Sequence, residues 1–128
     1  MKIEILPRKE ILSRLDRNSL ERIRVASRKI NNTLAIEDSW LEYAPKVNFW
    51  EWVQDTYDEK ENMPIKQFAA FYFTLSQIRK DGIKNPIVLE RYTKNTKGNK
   101  WFLSNGCHRM AIAEELKIEE IPVEWREN

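Results

Sequence analysis

Thirteen residues, Ser104-Asn105-Gly106-Cys107-His108-Arg109-Met110-Ala111-Ile112-Ala113-Glu114-Glu115-Leu116, hold the side chains best suited to chemistry in this chain. Trp101 to Leu103 read as a short buried strand, Asn105-Gly106 as a turn pair, and Met110, Ala113 and Leu116 recur at helical spacing. Cys107, His108 and Arg109 therefore fall in the first turn of a helix. Backbone N–H groups are unpaired there and the helix dipole favours an anion. Gly106 lets the backbone approach a ligand, Arg109 offers a planar fork of donors, and His108 offers a donor or a proton carrier. This set suits phosphate better than a bare carboxylate. Each residue also has a plainer use: Cys107 as a packed apolar group, His108 as a structural side chain, and Arg109 as a surface partner of Glu114 or Glu115.

The elements that position this loop are legible on either side. Pro64 starts a helix that Gly82 ends, and Ile65, Phe68, Ala69, Tyr72, Leu75 and Ile78 share its core face. Its other face carries Lys66, Gln67, Thr74, Gln77, Arg79 and Lys80. Ile87 to Tyr92 and Trp101 to Leu103 read as paired strands around a polar loop from Thr93 to Lys100, with Gly98-Asn99 at the turn. Near the start, Ser19 to Ile30 reads as a helix with an Asn18/Glu21 capping box and a core face of Leu20, Ile23, Ala26 and Ile30.

Composition sets the outer bounds. With 128 residues, 41% apolar content and five tryptophans, the chain suits one compact domain, residues 1–128, with one sizeable core. A single Cys excludes an internal disulfide framework and a Cys/His zinc site, so no protein metal site is expected and a reducing cytoplasm is. Charged residues stand where a signal peptide needs an apolar run, and no segment has the roughly twenty apolar residues of a membrane span.

The net charge of +2 conceals a division: residues 1–36 carry nine basic and four acidic groups, 37–61 two and eight, and 62–128 eleven and eight. Arg14, Arg17, Arg22, Arg24, Arg28 and Lys29 form the basic concentration, readable as a solvated helix face or as a footprint for nucleic acid or nucleotide phosphates. The acidic stretch is rich in aromatics: Trp40, Tyr43, Phe49, Trp50, Trp52 and Tyr57. Trp40, Leu41 and Ala44 suggest one helical face and Trp50, Val53 and Tyr57 another, with Pro45 between them. The expectation is a helical, aromatic-rich insertion at residues 37–62, packed on the core and offering a surface to a protein partner. Its carboxylates repel a phosphate backbone, which argues against base stacking there.

Gly106-Cys107-His108-Arg109, the helix after it and Ile121-Pro122-Val123 resemble the signature of the ParB/sulfiredoxin superfamily. The run Ile78-Arg79-Lys80-Asp81-Gly82-Ile83-Lys84-Asn85-Pro86-Ile87-Val88 resembles the helix, glycine and strand that precede it in ParB-like domains, and Lys2 to Arg8 resembles the first strand. The resemblance covers about residues 65–125 and implies an α+β fold: a small mixed sheet with helices, in the order strand, helix, inserted helices, helix, strand, strand, helix, strand.

That resemblance also implies nucleotide binding, with Ser104 to Arg109 as the phosphate loop, ATP or another nucleoside triphosphate as ligand, and Mg²⁺ with it. Phosphoryl transfer or hydrolysis is the first expected activity, with His108 orienting the γ-phosphate or shuttling a proton. The sulfiredoxin branch implies Cys107 as a catalytic thiol reducing a sulfinic acid, its thiolate favoured by the dipole and by His108 and Arg109. Departures from that branch are Ser104-Asn105 before Gly106, the lack of a recognisable Lys/Ser/Thr nucleotide face on the preceding helix, and the acidic insertion. Where kinase-like and nuclease-like members carry an acid, this chain has Asn105, so a catalytic carboxylate must come from elsewhere, with Glu4, Glu10 and Glu90 as candidates. The ParB clamp role needs DNA-reading and dimerisation domains that these 128 residues do not hold. A stand-alone ParB-like module that binds DNA or protein without turnover is the alternative, of a kind frequent in phages and mobile elements.

Overall fold

A computed structural model describes residues 2–91 and 100–127. Its elements are β1 (Lys2–Pro7), α1 (Arg8–Arg14), α2 (Arg17–Tyr43), α3 (Phe49–Thr56), α4 (Ile65–Asp81), β2 (Ile87–Arg91), β3 (Phe102–Asn105), α5 (Cys107–Leu116) and β4 (Glu120–Glu127). Among the described residues this is a small α+β fold with five helices and one four-stranded sheet of order β1-β4-β2-β3. The sheet is mixed: β1 lies antiparallel to β4 and β3 to β2, while β2 and β4 run parallel. The expected Gly98-Asn99 turn and Tyr92 lie outside the described residues.

The core forms because α5 is apolar on every side at its centre. Met110, Ala111, Ile112 and Ala113 are all fully buried, so the helix needs cover on both faces. The sheet supplies one side through Ile87, Leu89, Leu103, Ile121 and Val123, and α2 supplies the other through Ile23, Ala26 and Ile30.

The start of α2 differs from the Asn18/Glu21 expectation. The chain is held extended before Arg17 by two backbone bonds to Trp101: Asp16 N–H to Trp101 O and Trp101 N–H to Arg14 O, both 2.8 Å. Asp16 therefore becomes the N-cap, its carboxylate accepting from Ser19 N–H at 2.8 Å. Leu20 faces solvent and Ser19 replaces it in the core, where its hydroxyl accepts from Leu103 N–H at 2.9 Å.

No Gly or Pro interrupts the chain from Arg17 to Ala44, and α2 runs on to Tyr43, well beyond Ile30. The acidic stretch thus begins within the last two turns of α2 and runs on through α3. Together with the start of α4 it builds a second apolar cluster, in which Phe49, Val53 and Phe68 are buried among Trp40, Trp52, Tyr57 and Tyr72. Of the two faces expected there, Val53 is buried while Leu41 and Trp50 are exposed. Glu37 of α2 ties this lobe to α4, accepting from Tyr72 Oη at 2.6 Å and Arg79 Nη1 at 2.9 Å.

Candidate functional site

Two backbone irregularities bring the Ser104–Arg109 loop to the surface. The pairing of β2 with β3 slips between Val88 and Leu89, so that Ser104 has no partner while Asn105 pairs with Val88. This β-bulge leaves Ser104 and Asn105 exposed. Gly106 follows with φ +100°, as the N-cap of α5. An added Cβ there would meet Ile87 Cγ2 at 2.6 Å. The glycine is required by its seat on β2, whereas the expectation assigned it to ligand approach.

The first turn of α5 is as expected: it begins at Cys107, and no side chain caps it. Its leading amides are thus left to a ligand or water. Arg109 is held in place by carbonyl groups, with Nη1 donating to Asn85 O at 2.8 Å and Pro86 O at 3.0 Å and Nη2 to Asn105 Oδ1 at 3.2 Å. Neither Glu114 nor Glu115 takes that role. Glu114 faces the buried Arg8, 2.9 Å from its Nε. Three of the five guanidinium donors of Arg109 are used, leaving two for an anion.

These residues line a cavity of about 790 Å³ together with Thr74, Gln77 and Asp81 of α4, Lys84 and Asn85 of the following loop, and Arg22 of α2. That volume lies within the roughly 300–1,000 Å³ usual for small-molecule sites. Arg22, Lys84 and Arg109 against Asp81 give the lining a formal charge of +2, three positive less one negative. Arg22 is fixed by a bond from Nη2 to Leu103 O and by stacking on Phe102, its guanidinium carbon 4.8 Å from the ring centroid. Its Nε–H is buried with no acceptor.

The two titrating groups of the loop are both held neutral. Burial, reinforced by the nearby Lys29 charge, pulls His108 below the ordinary imidazole range. The ring lies tilted against Phe71 with centroids 4.5 Å apart. Burial pushes the Cys107 thiol up, against a weaker opposing pull from Arg22. That is the reverse of the activation expected from the dipole and from His108 and Arg109. The apolar core beside the thiol outweighs them, since Cys107 packs against its edge.

Of the expected carboxylates none lines this cavity. Glu4 lies 3.7 Å from Lys2, Glu10 2.8 Å from Arg14, and Glu90 3.7 Å from Arg126. Asp81 is the acid that does, and the sequence reading named it only within the resembling run. The available signal was connectivity: Asp81 ends the helix whose next residues lead into β2, the strand against which Gly106 packs. Thr74, Gln77 and Asp81 recur at helical spacing on one face of α4. Among the described residues no three His, Cys, Asp or Glu side chains group so as to hold a metal ion.

The six basic residues do not form one footprint. Arg22 and Lys29, seven positions apart, turn toward α5, as the cavity lining and the charge acting on His108 show. Arg17, Arg24 and Arg28 lie on an outer stripe of α2, where Arg24 meets Glu21 at 3.1 Å. Arg14 belongs to α1, with its guanidinium carbon 5.3 Å from the Trp125 ring centroid. No described helix is long and apolar enough to cross a membrane. Against family models, curated proteins and solved structures, the chain matches none.

Proposed function

We propose that this chain binds the phosphates of a nucleoside triphosphate in the cavity between α4 and α5 and supports phosphoryl transfer or hydrolysis there. One observation carries the reading: Arg22, Lys84 and Arg109, from three separate segments, and the uncapped start of α5 line the same cavity. The likeness of Gly106-Cys107-His108-Arg109 to the ParB/sulfiredoxin loop points the same way.

The amides of Cys107, His108 and Arg109 take phosphate oxygens, as helix starts do. The spare donors of Arg22 and Arg109 and the ammonium of Lys84 neutralise charge that builds on the transferred group. His108, neutral at physiological pH, accepts the proton of the attacking hydroxyl or water as its oxygen bonds to the γ-phosphorus and the bond to the leaving diphosphate breaks. Asp81 is the carboxylate of this cavity that would hold Mg²⁺, which would supply neutralisation of phosphate charge.

Thermal unfolding with ATP, ADP, CTP and GTP, each with and without Mg²⁺, tests the reading on wild type, Arg22→Gln and Lys84→Gln. A nucleotide at a hundred times its Kd adds about 2.7 kcal/mol. The expected result is a nucleotide-selective rise in Tm that both substitutions reduce. If no nucleotide raises the Tm of the wild type, the proposal fails.

A further inference from the structure

A second concave site lies at the other end of β3, where the strand begins. It is a cavity of about 490 Å³ whose described lining residues, Ser13, Arg14, Arg91, Lys100 and Trp101, bring three positive charges and no carboxylate. Two of the three cations lie against a pair of packed tryptophans. Arg91 has its guanidinium carbon 4.5 Å from the Trp101 ring centroid, Trp101 meets Trp125 edge-on at 4.7 Å, and Arg14 lies 5.3 Å from the Trp125 centroid.

Lys100 is drawn in by donating to Ser13 O at 2.8 Å. Trp101 itself is fixed by its two backbone bonds to Arg14 and Asp16. Such cations are preorganised, so ordering them on binding costs little. Carboxylates touch the rim: Glu10 takes one bond from Arg14 at 2.8 Å and Glu127 one from Arg91 at 2.7 Å. Each engages one of the five N–H donors of its arginine.

The cavity does not end at its own edge. Asp16 N–H bonds Trp101 O, so α2 starts beside the stack, with Arg17 as its first residue. Arg17, Arg24 and Arg28 then fall within about 40° of one another around the helix and are exposed. Glu21, paired with Arg24, is the one acid between them. From Arg17 to Arg28 this stripe is about 16 Å long, the rise of about four or five nucleotides of one strand.

We infer that this track, Arg14, Arg91 and Lys100 followed by Arg17, Arg24 and Arg28, binds the phosphate backbone of a nucleic acid. An isolated phosphate would fill the cavity and leave the helical stripe unused. Trp101 is 8% exposed, with Arg91 over its ring. Bases therefore do not stack on it, and recognition is of the backbone, without sequence preference.

The test is fluorescence anisotropy with labelled single-stranded and duplex 20-mers over a range of salt. It compares the wild type with Arg14→Gln/Arg91→Gln/Lys100→Gln and with Arg17→Gln/Arg24→Gln/Arg28→Gln. The second variant alters only exposed side chains of α2 and keeps the test valid if the first unfolds. Each should weaken binding about tenfold or more and lower the slope of log Kd against log salt by about 2 to 3, as loss of three phosphate contacts requires. Wild-type affinity in the second variant overturns the inference. So does failure of the wild type to bind at low salt, full displacement by inorganic phosphate at equal phosphate concentration, or equal binding of polyglutamate.

Discussion

Replacing Gly106 by alanine tests whether β2 and the start of α5 are one unit. Two effects add. At φ +100° an L side chain costs about 1–2 kcal/mol. The new methyl would also lie 2.6 Å from Ile87 Cγ2, 2.9 Å from Ile87 Cβ and 3.1 Å from Ile87 Cα. Ile87 is fully buried and β-branched, so it cannot turn aside, and overpacking of this kind costs about 1–3 kcal/mol. The expected loss is about 2–5 kcal/mol. Ile87→Ala is the internal control, since it removes the Cγ2 that the new methyl meets. Gly106→Ala should cost less in the Ile87→Ala background than in the wild type. Urea denaturation of the four proteins isolates the clash as the coupling between the two sites. Equal losses in both backgrounds would show that Ile87 yields, and the argument for a rigid seat would be refuted.

Three further outcomes follow from the titrating and aromatic groups. Alkylation of Cys107 by iodoacetamide should be slow at neutral pH and still rising at pH 9, because burial raises the thiol pKa; a rate already level by pH 8 would contradict this. His108 is depressed, so its neutral form is the one folding favours. Its contribution is intact above about 6.5 and declines as pH falls toward the folded value; a proton-NMR titration should show Lys29→Met moving that value upward. Tyr72, pushed up to about 12 by burial and its bond to Glu37, should ionise late in an ultraviolet titration, and Tyr72→Phe should remove that late step and cost about 1 kcal/mol.

Local chemistry was legible in the sequence wherever one residue decided the outcome. Pro64 and Gly82 bound α4, and Gly106 sets the start of α5, because each acts on its own backbone. Strands β2 and β3 followed from apolar spacing and turn residues, whereas β4 was expected only from the resemblance carried by Ile121-Pro122-Val123. What escaped was decided by distant partners. Asn18 and Asp16 are both competent caps, and the choice between them was made by Trp101, 85 residues beyond Asp16 in the numbering. Ser19 reads as surface until Leu103 N–H, |i−j| = 84, supplies its partner. The change of charge at Glu37 suggested a boundary that the backbone ignores, since charge alone does not end a helix. The site divided in the same way: its loop was visible as a motif, while Arg22, Lys84 and Asp81 joined it through tertiary packing.

Arg109 shows why the motif by itself is a poor place to test function. Its bonds to Asn85 O and Pro86 O close the loop before β2, and its bond to Asn105 Oδ1 closes the bulge of β3. Arg109→Ala would therefore remove a proposed phosphate partner and also release three acceptors that position the cavity wall. Loss of nucleotide binding in that variant would not separate the two effects. Arg109→Lys keeps the charge but cannot span three acceptors in the plane of a guanidinium. Lys84 has an exposed side chain in the same cavity. Its neutralisation should lower affinity and leave the unliganded Tm within about 0.5 kcal/mol of the wild type. If Lys84→Gln preserves the nucleotide-induced shift while Arg109→Lys abolishes it together with basal stability, Arg109 acts on the cavity wall, and the charge of the lining is not what binds.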